Sequence, residues 1–314
     1  MDDIDELLSI RAAELYYEEN KTQEEIGHAL QLTRWKVGRL LTQAKEQGFI
    51  RIEILHARAR RLPLERRLRD ERGLADAVVV SRAGVRSPEE LQERVAQAAA
   101  DYLTALRPVP RTLGVSWGRT LFDVSQHLRT GWASGLNVVQ INGGVSLNRR
   151  AGTAAATAVA IAHKGGGSAT LLPSPAILER LETKVAIESD RVVAGVIDLA
   201  RSADAFLFSA GAADHRSVHV ESGYLSEADV DLLVQKGAVG DVVGRYVDAQ
   251  GDIVDPSLDA RTVGLTLDRL RQAALAIAVT SGESKHAVTD AVVRSGLCTV
   301  LVTDEETALH LLDG

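Results

Sequence analysis

From residue 76 onward, short apolar runs alternate with stretches of helical periodicity, and this alternation leaves few folds open. Runs suited to strands cover 77–80, 112–115, 137–141, 168–172, 205–208, 253–254, 276–279 and 299–303. Helical patterns occupy 88–106, 119–130, 151–163, 176–180, 183–187, 190–202, 226–235, 266–272, 283–295 and 304–312. Parallel strands need a crossover connection, and a helix is the usual one. The expectation is an α/β fold, a mostly parallel sheet with helices on both faces.

The first fifty residues follow a different period. Ile4, Leu7, Leu8, Ile10, Ala13, Leu15 and Tyr16 recur at helical spacing, which predicts a helix over 4–19. Asn20-Lys21 breaks it, and Thr22-Gln23-Glu24-Glu25 has the form of a capping box. A short helix follows, with Ile26, Ala29 and Leu30 facing inward. Gln31-Leu32 makes the turn and Thr33 caps a third helix over 34–47, whose inner face is Val37, Leu40, Leu41 and Ala44. Gly48 supplies a left-handed stop, and the alternation of 49–54 suits a β-wing. Two short helices, a tight turn and a third helix with cations near its start form a helix-turn-helix, the geometry of a major-groove reader. The alternative is a three-helix bundle without a ligand.

Charge separates these readings. The 314-residue chain carries a formal net charge of −7, which taken globally argues against nucleic acid. Residues 34–72, however, hold twelve Lys and Arg against five Asp and Glu, whereas 1–30 hold two against nine. That basic block covers the third helix, the wing and the amphipathic stretch 60–72. Such a block can be a local phosphate-binding surface or a solvated helix face; the crowding of cations on the outer face of the third helix favours DNA over a bundle without a ligand. DNA is the expected partner, with Thr22, Gln31, Thr33, Arg34, Trp35, Lys36 and Arg39 as contact candidates; Trp35 could instead pack against the wing. Composition shifts near residue 73 toward Gly, Ala and Val. The expected domains are 1–56 for DNA, a linker helix over 57–74 and an effector-binding domain over 75–314. The linker carries Leu62, Leu64 and Leu68 on one side. It could extend the phosphate-binding surface, pair with a second subunit or serve as a solvated connector.

In the large domain the segment Leu113-Gly114-Val115-Ser116-Trp117-Gly118-Arg119-Thr120 is the most informative. A strand, a small Gly/Ser turn and a helix start place backbone N–H groups around one concavity suited to an anion. It is neither a P-loop nor a dinucleotide fingerprint, so nucleotide binding is unsupported. Comparable turns follow other strands: Asn142-Gly143-Gly144, Pro173-Ser174-Pro175, Ser209 to Asp214, and Ser281 to Lys285. In open α/β sheets such loops converge on a ligand. Asp241 could bind sugar hydroxyls, and Lys285 could pair a phosphate or carboxylate.

One cysteine, Cys298, excludes an internal disulfide, and a core position is its simplest role. No apolar run reaches the roughly 20 residues that span a bilayer. The acidic start MDDIDELLSI is unlike a secretion signal. A cytoplasmic protein with no membrane partner is expected. The histidines lack metal-ligand spacing, so neither a metal nor another cofactor is expected.

The chain resembles the SorC family of bacterial sugar-responsive transcription regulators. LYYEENKTQEEIGHALQLTRWKVGRLLTQAKEQGFIRIEI is similar to the family's helix-turn-helix. GVSWGRTL, GAVGDVVGRYVDAQG, RTVGLTLDRLR, SGESKHAV and VLVTDEETALHLL are similar to segments of its effector domain. The resemblance implies a Rossmann-like domain related to sugar-phosphate isomerases, which binds a phosphorylated sugar or similar metabolite. It also implies a homo-oligomer, a dimer or tetramer. By the same resemblance Ser116, Gly118, Arg119 and Thr120 hold the phosphate, while Asp241 and Lys285 contact the sugar and its charged end. Gly114, Trp117, Asn142, Gly143 and Gly211 complete the effector-binding set. Asn142, expected after the central strand, cannot form the imine that a lysine there would, so covalent capture of an aldehyde is not expected. The function this implies is regulation of carbohydrate catabolism, by a DNA-binding protein without enzymatic activity. The alternative is a sugar-phosphate isomerase with an appended helical domain, for which Asp214-His215 and Asp241 are the acid–base candidates.

Overall fold

A computed structural model describes residues 3–50, 59–144 and 154–313. The chain forms two compact units, Met1–Leu55 and His56–Gly314.

The first unit contains α1 (Asp3–Tyr17), α2 (Gln23–Leu30) and α3 (Arg34–Glu46). Thr22 starts α2 through a complete capping box: its Oγ1 accepts from the Glu25 amide, and Glu25 accepts from the Thr22 amide at 2.8 Å. Gln31 ends α2 in the left-handed region at φ 54°, and Thr33 caps α3 by accepting from the Lys36 amide. The core is Ala12, Ala13, Leu15, Ile26, Val37, Leu40, Leu41 and Ala44. The inner face of α3 is therefore the one its spacing predicts. On α1 the face is rotated from expectation: Ile4 and Leu7 are 64% and 67% exposed, and Ser9 is buried, donating to the Asp5 carbonyl. Ala29 of α2 is likewise exposed. Strands in the wing over 51–54 lie outside the described residues, while Phe49 and Ile50 fold back on the Ala44 carbonyl.

Gly27 is fixed by close approach. A Cβ there would meet the Leu32 carbonyl oxygen at 2.7 Å. Gly27→Val is expected to destabilise this unit by about 1–3 kcal/mol, the usual cost of overpacking, measurable as a lower first transition in thermal unfolding.

The second unit runs α4 (Leu62–Arg72), β1 (Asp76–Val80), α5 (Pro88–Ala105), β2 (Thr112–Val115), α6 (Arg119–His127), β3 (Asn137–Gln140), α7 (Ala154–Lys164), β4 (Ser168–Thr170), α8 (Leu181–Ser189) and α9 (Arg191–Arg201). It continues through β5 (Ala205–Phe208), β6 (Ala210–Ala212), α10 (Val218–Glu221), α11 (Glu227–Gln235), β7 (Gly240–Val242), β8 (Arg245–Val247), α12 (Pro256–Arg261) and α13 (Leu267–Arg271). The last elements are β9 (Ala276–Val279), α14 (His286–Arg294), β10 (Val300–Asp304) and α15 (Glu305–Asp313).

Seven strands form a parallel sheet in the order β1-β10-β9-β5-β2-β3-β4. Each inner strand is apolar on both sides because both sides are covered. Val78, Val115, Leu207 and Val279 pack under α5, α6 and α7. Val79, Phe206, Phe208 and Ala278 pack under α4, α9, α13, α14 and α15. Cys298 is buried and free, and burial pushes its thiol up to about 12.

The helix at 60–72 is more than a connector. Leu68 is fully buried, and buried Glu65 takes a bidentate bond from Arg60 while accepting from the Val79 amide. Leu62, expected on the inner side, is exposed. Three further expectations change. Residues 176–180 are not helical: with Pro175 at their start, Ile177 instead bridges Thr262. Residues 253–254 contribute only a bridge from Ile253 to Val247. β3 stands next to the edge, so Asn142 does not follow the central strand, which is β5.

Beyond the main sheet, β6, β7 and β8 form a small antiparallel sheet. It shares an apolar cluster with Trp117, Ile177, Leu225, Val230, Leu233 and Leu258.

Candidate functional site

In the first unit, the beginning of α3 presents Arg34, Trp35 and Arg39 outward, and Trp35 is 90% exposed. An indole left this open on a helix already equipped with four core residues contributes nothing to the unit's own packing. Gln31 and Thr33 are exposed beside it. Lys36 is different: its ammonium donates to Asp5 at 2.7 Å, tying α3 to α1, and the pairing holds the Asp5 carboxyl below its usual range. Thr22 is similarly occupied, with its hydroxyl and amide both engaged with Glu25.

In the second unit, the chain runs outward from β2 to β3 and β4, then returns to the other side of β2 as β5. This reversal makes β2 and β5 a topological switch point, whose crevice lies beyond the carboxyl ends of the two strands. Ser116 and Ser209 follow those ends. Ser116 is buried, with its amide on the Leu207 carbonyl, and Thr120 is buried in the first turn of α6. Gly118 occupies the cap position of α6 at φ 137° and has no side chain to satisfy the first-turn amides. The helix start is thereby suited to an anion.

Lys285 approaches from the loop after β9 and donates to Ser209 Oγ at 3.4 Å. Desolvation is the main reason its pKa falls to about 8; Arg119 lowers it further, while Asp241 and Asp214 raise it. Arg119, Asp214 and Asp241, from three other parts of the sequence, all lie near enough to influence the charge of Lys285. Two neighbouring cations, one of them partly desolvated, favour an anion between them. Arg119 is half exposed and sits 3.9 Å from Glu221 of α10. Asp241 accepts from the Gly244 amide at 3.0 Å, and Gly211 opposite it leaves room for the carboxylate, since a Cβ would lie 2.2 Å from Oδ1.

The remaining expected contacts, Gly114, Trp117, Asn142 and Gly143, are closely packed. A Cβ on Gly114 would meet Ile141 and Phe206 at 2.7 Å, and one on Gly143 would meet the Pro175 carbonyl at 2.2 Å. Trp117 is buried and donates its indole N–H to Gly143 O at 2.8 Å. Asn142 is buried with Oδ1 lacking a partner. The acid–base pair needed for an isomerase does not assemble: His215 turns to Asp231 at 2.7 Å, which raises its pKa, while Asp214 accepts from the Arg216 amide at 2.8 Å.

Residues 58–313 match the family model described as "Putative sugar-binding domain". The Deoxyribonucleoside regulator of Bacillus subtilis (strain 168) is 30% identical over 315 residues, covering 100% of this chain and 99% of that protein. The chain belongs to this family of sugar-binding transcriptional regulators. The Sorbitol operon regulator of Klebsiella pneumoniae is 28% identical, with 97% of each chain covered. The crystal structure of full-length SorC from the same organism matches at a TM-score of 0.74 over 99% of both chains. A DeoR family regulator from Listeria monocytogenes, 22% identical, covers 80% of this chain and 98% of its own at a TM-score of 0.70 and shares the fold. A transcriptional regulator of this family needs no catalytic pair. No described helix is long and apolar enough to cross a membrane, and no described His, Cys, Asp or Glu side chains form a group of three or more suited to a metal.

Proposed function

We propose that this regulator binds operator DNA through α3 and that a phosphorylated sugar at the carboxyl end of the parallel sheet sets its operator affinity. The observation that carries the effector reading is the crevice beyond β2 and β5, where buried Ser116 and Thr120 and the Gly118-capped start of α6 lie on one strand end and Lys285 donates to Ser209 on the other. The cations and the α6 start suit a phosphate, and Asp241 suits hydroxyl groups. The relatives' names speak for sugar and nucleoside regulation.

On DNA, Arg34 and Arg39 neutralise phosphates or read guanine edges, and Trp35 makes apolar contact with bases. Lys36 is a weaker contact candidate because it is engaged with Asp5. A homo-oligomer, dimer or tetramer, supplies paired readers for a two-fold operator. Apolar side chains exposed on α1 (Ile4, Leu7) and on α8 and α9 (Leu181, Val185, Val192) support such association.

Fluorescence anisotropy of the full-length protein on its own promoter DNA tests the DNA half. Binding is expected to weaken steeply with salt. Each of Arg34→Ala and Arg39→Ala is expected to reduce the log–log slope by about 0.9 where the side chain neutralises one phosphate. Trp35→Ala should lower affinity without changing that slope. Salt-independent binding, or none, would refute the reading.

A further inference from the structure

His219 occupies a position that no sequence motif marks. It is 2% exposed on α10, between the two halves of the candidate effector site. On one side its ring stands edge-on to Trp117, with centroids 6.0 Å apart. Trp117 belongs to the anion turn and fixes it to the β3 loop through Gly143. On the other side, Nδ1 lies 3.3 Å from the hydroxyl of buried Tyr246. Tyr246 is the cross-strand partner of Asp241 in the β7–β8 pairing, and burial raises its phenol with the Asp241 charge adding to the effect. Cross-strand partners share a face of the sheet, so Asp241 and Tyr246 move together.

The β7–β8 hairpin needs support from outside itself. Its turn places Val243, a β-branched residue, at φ 49° and Gly244 at φ 87°. Such a backbone persists only where its surroundings over-determine it. Val243 is buried in the main core, and Arg245 is anchored to the 259–265 segment. His219 adds a link toward the anion turn, through rings that touch both Tyr246 and Trp117. Its Nε2 is buried without a partner, and a Cβ on Gly244 would lie 3.7 Å from it.

We infer that His219 is a positioning residue that holds the Asp241 hairpin at a set distance from the Ser116–Thr120 turn, and thereby selects ligands carrying a phosphate and hydroxyls on one short carbon chain. This rests on the reading of the site as a sugar-phosphate pocket. Acting through Tyr246 and Trp117, His219 lets the two half-sites engage one ligand together. Each half-site alone depends on it much less.

Calorimetric titration of the full chain tests this with ribose 5-phosphate, glucose 6-phosphate and sorbitol 6-phosphate, their unphosphorylated counterparts, and inorganic phosphate. For the best phosphorylated binder, His219→Phe is expected to lower affinity about tenfold, within the usual range for coupled sites. The loss should exceed the loss for free sugar or free phosphate at least about fivefold. Tyr246→Phe keeps the ring and removes only the hydroxyl, and it should reproduce this selective loss. The double variant should be no worse than either single one, as expected of two groups acting as one link. Equal losses for all three kinds of probe would reduce His219 to a packing residue and overturn the inference, as would unchanged affinity in both single variants. Wild-type protein that binds none of the phosphorylated probes would instead overturn the pocket reading itself, and the inference with it.

Discussion

Lys285→Met is expected to weaken binding of a phosphorylated effector by about 2–5 kcal/mol, the usual result of removing one member of a desolvated charge pair. The same change is expected to raise the stability of the ligand-free protein. Burial lowers the lysine's pKa from 10.5 to about 8, so folding disfavours its ammonium. Between those values the unfolded chain binds more protons than the folded one, and stability therefore rises with pH across that window. Below pH 8 the full penalty is present, and methionine removes it at the cost of one long hydrogen bond to Ser209. Effector affinity should carry the opposite signature. It should fall as pH rises above about 8, once the ammonium is lost, and this alkaline limb should be absent in Lys285→Met. Titration calorimetry and thermal unfolding between pH 7 and 10.5 check both signs. A ligand-free variant less stable than wild type at pH 7 would contradict the desolvation argument.

Arg245→Leu is expected to cost about 3–5 kcal/mol of stability in the larger unit, as breaking a buried ion pair from one side commonly does. The guanidinium is 5% exposed and donates to the carbonyls of Leu265, Asp259, Thr262 and Gly264, as well as to the Asp259 carboxylate. Leucine fills much of the volume but leaves these acceptors without their donor. Buried unsatisfied carbonyls are expensive. The loss should appear as a lower midpoint in guanidinium unfolding, with little effect on the first unit's transition. Asp259→Asn should cost less, because that side chain is 32% exposed and an amide oxygen can still accept. A leucine variant within about 1 kcal/mol of wild type would show that water replaces the guanidinium.

What was legible in the sequence was what neighbours in the sequence decide. The Thr22–Glu25 box, the Thr33 cap and the inner face of α3 depend on spacings of three to seven residues. The inner strands show as unbroken apolar runs because both faces are covered, and the turn after β2 shows because a strand, small residues and a helix start follow one another. Features set by distant partners were hidden. The pairing of Lys36 with Asp5, 31 residues away, leaves no local signal. The close approach of Phe206 to Gly114 and of Pro175 to Gly143 could not be read from spacing either. Ser9 enters the core in place of the more apolar Leu7 because a helix of this unit packs on only one face. The small sheet was missed because its strands are three residues long, and two of them contain glycine, so they read as turns. His219 and Tyr246 carry no spacing signal, and only the tertiary fold brings them together.

The central claim is that sugar-phosphate occupancy and operator binding are linked within one protein. Its most direct test is the affinity of the full-length chain for its own promoter DNA, measured at fixed salt with and without a saturating phosphorylated sugar. A change of about 5–150-fold is expected, with the same factor appearing in effector affinity when DNA is bound. Lys285→Met should bind the DNA but lose the response. A regulator that binds both ligands while neither alters the affinity of the other would contradict the linkage.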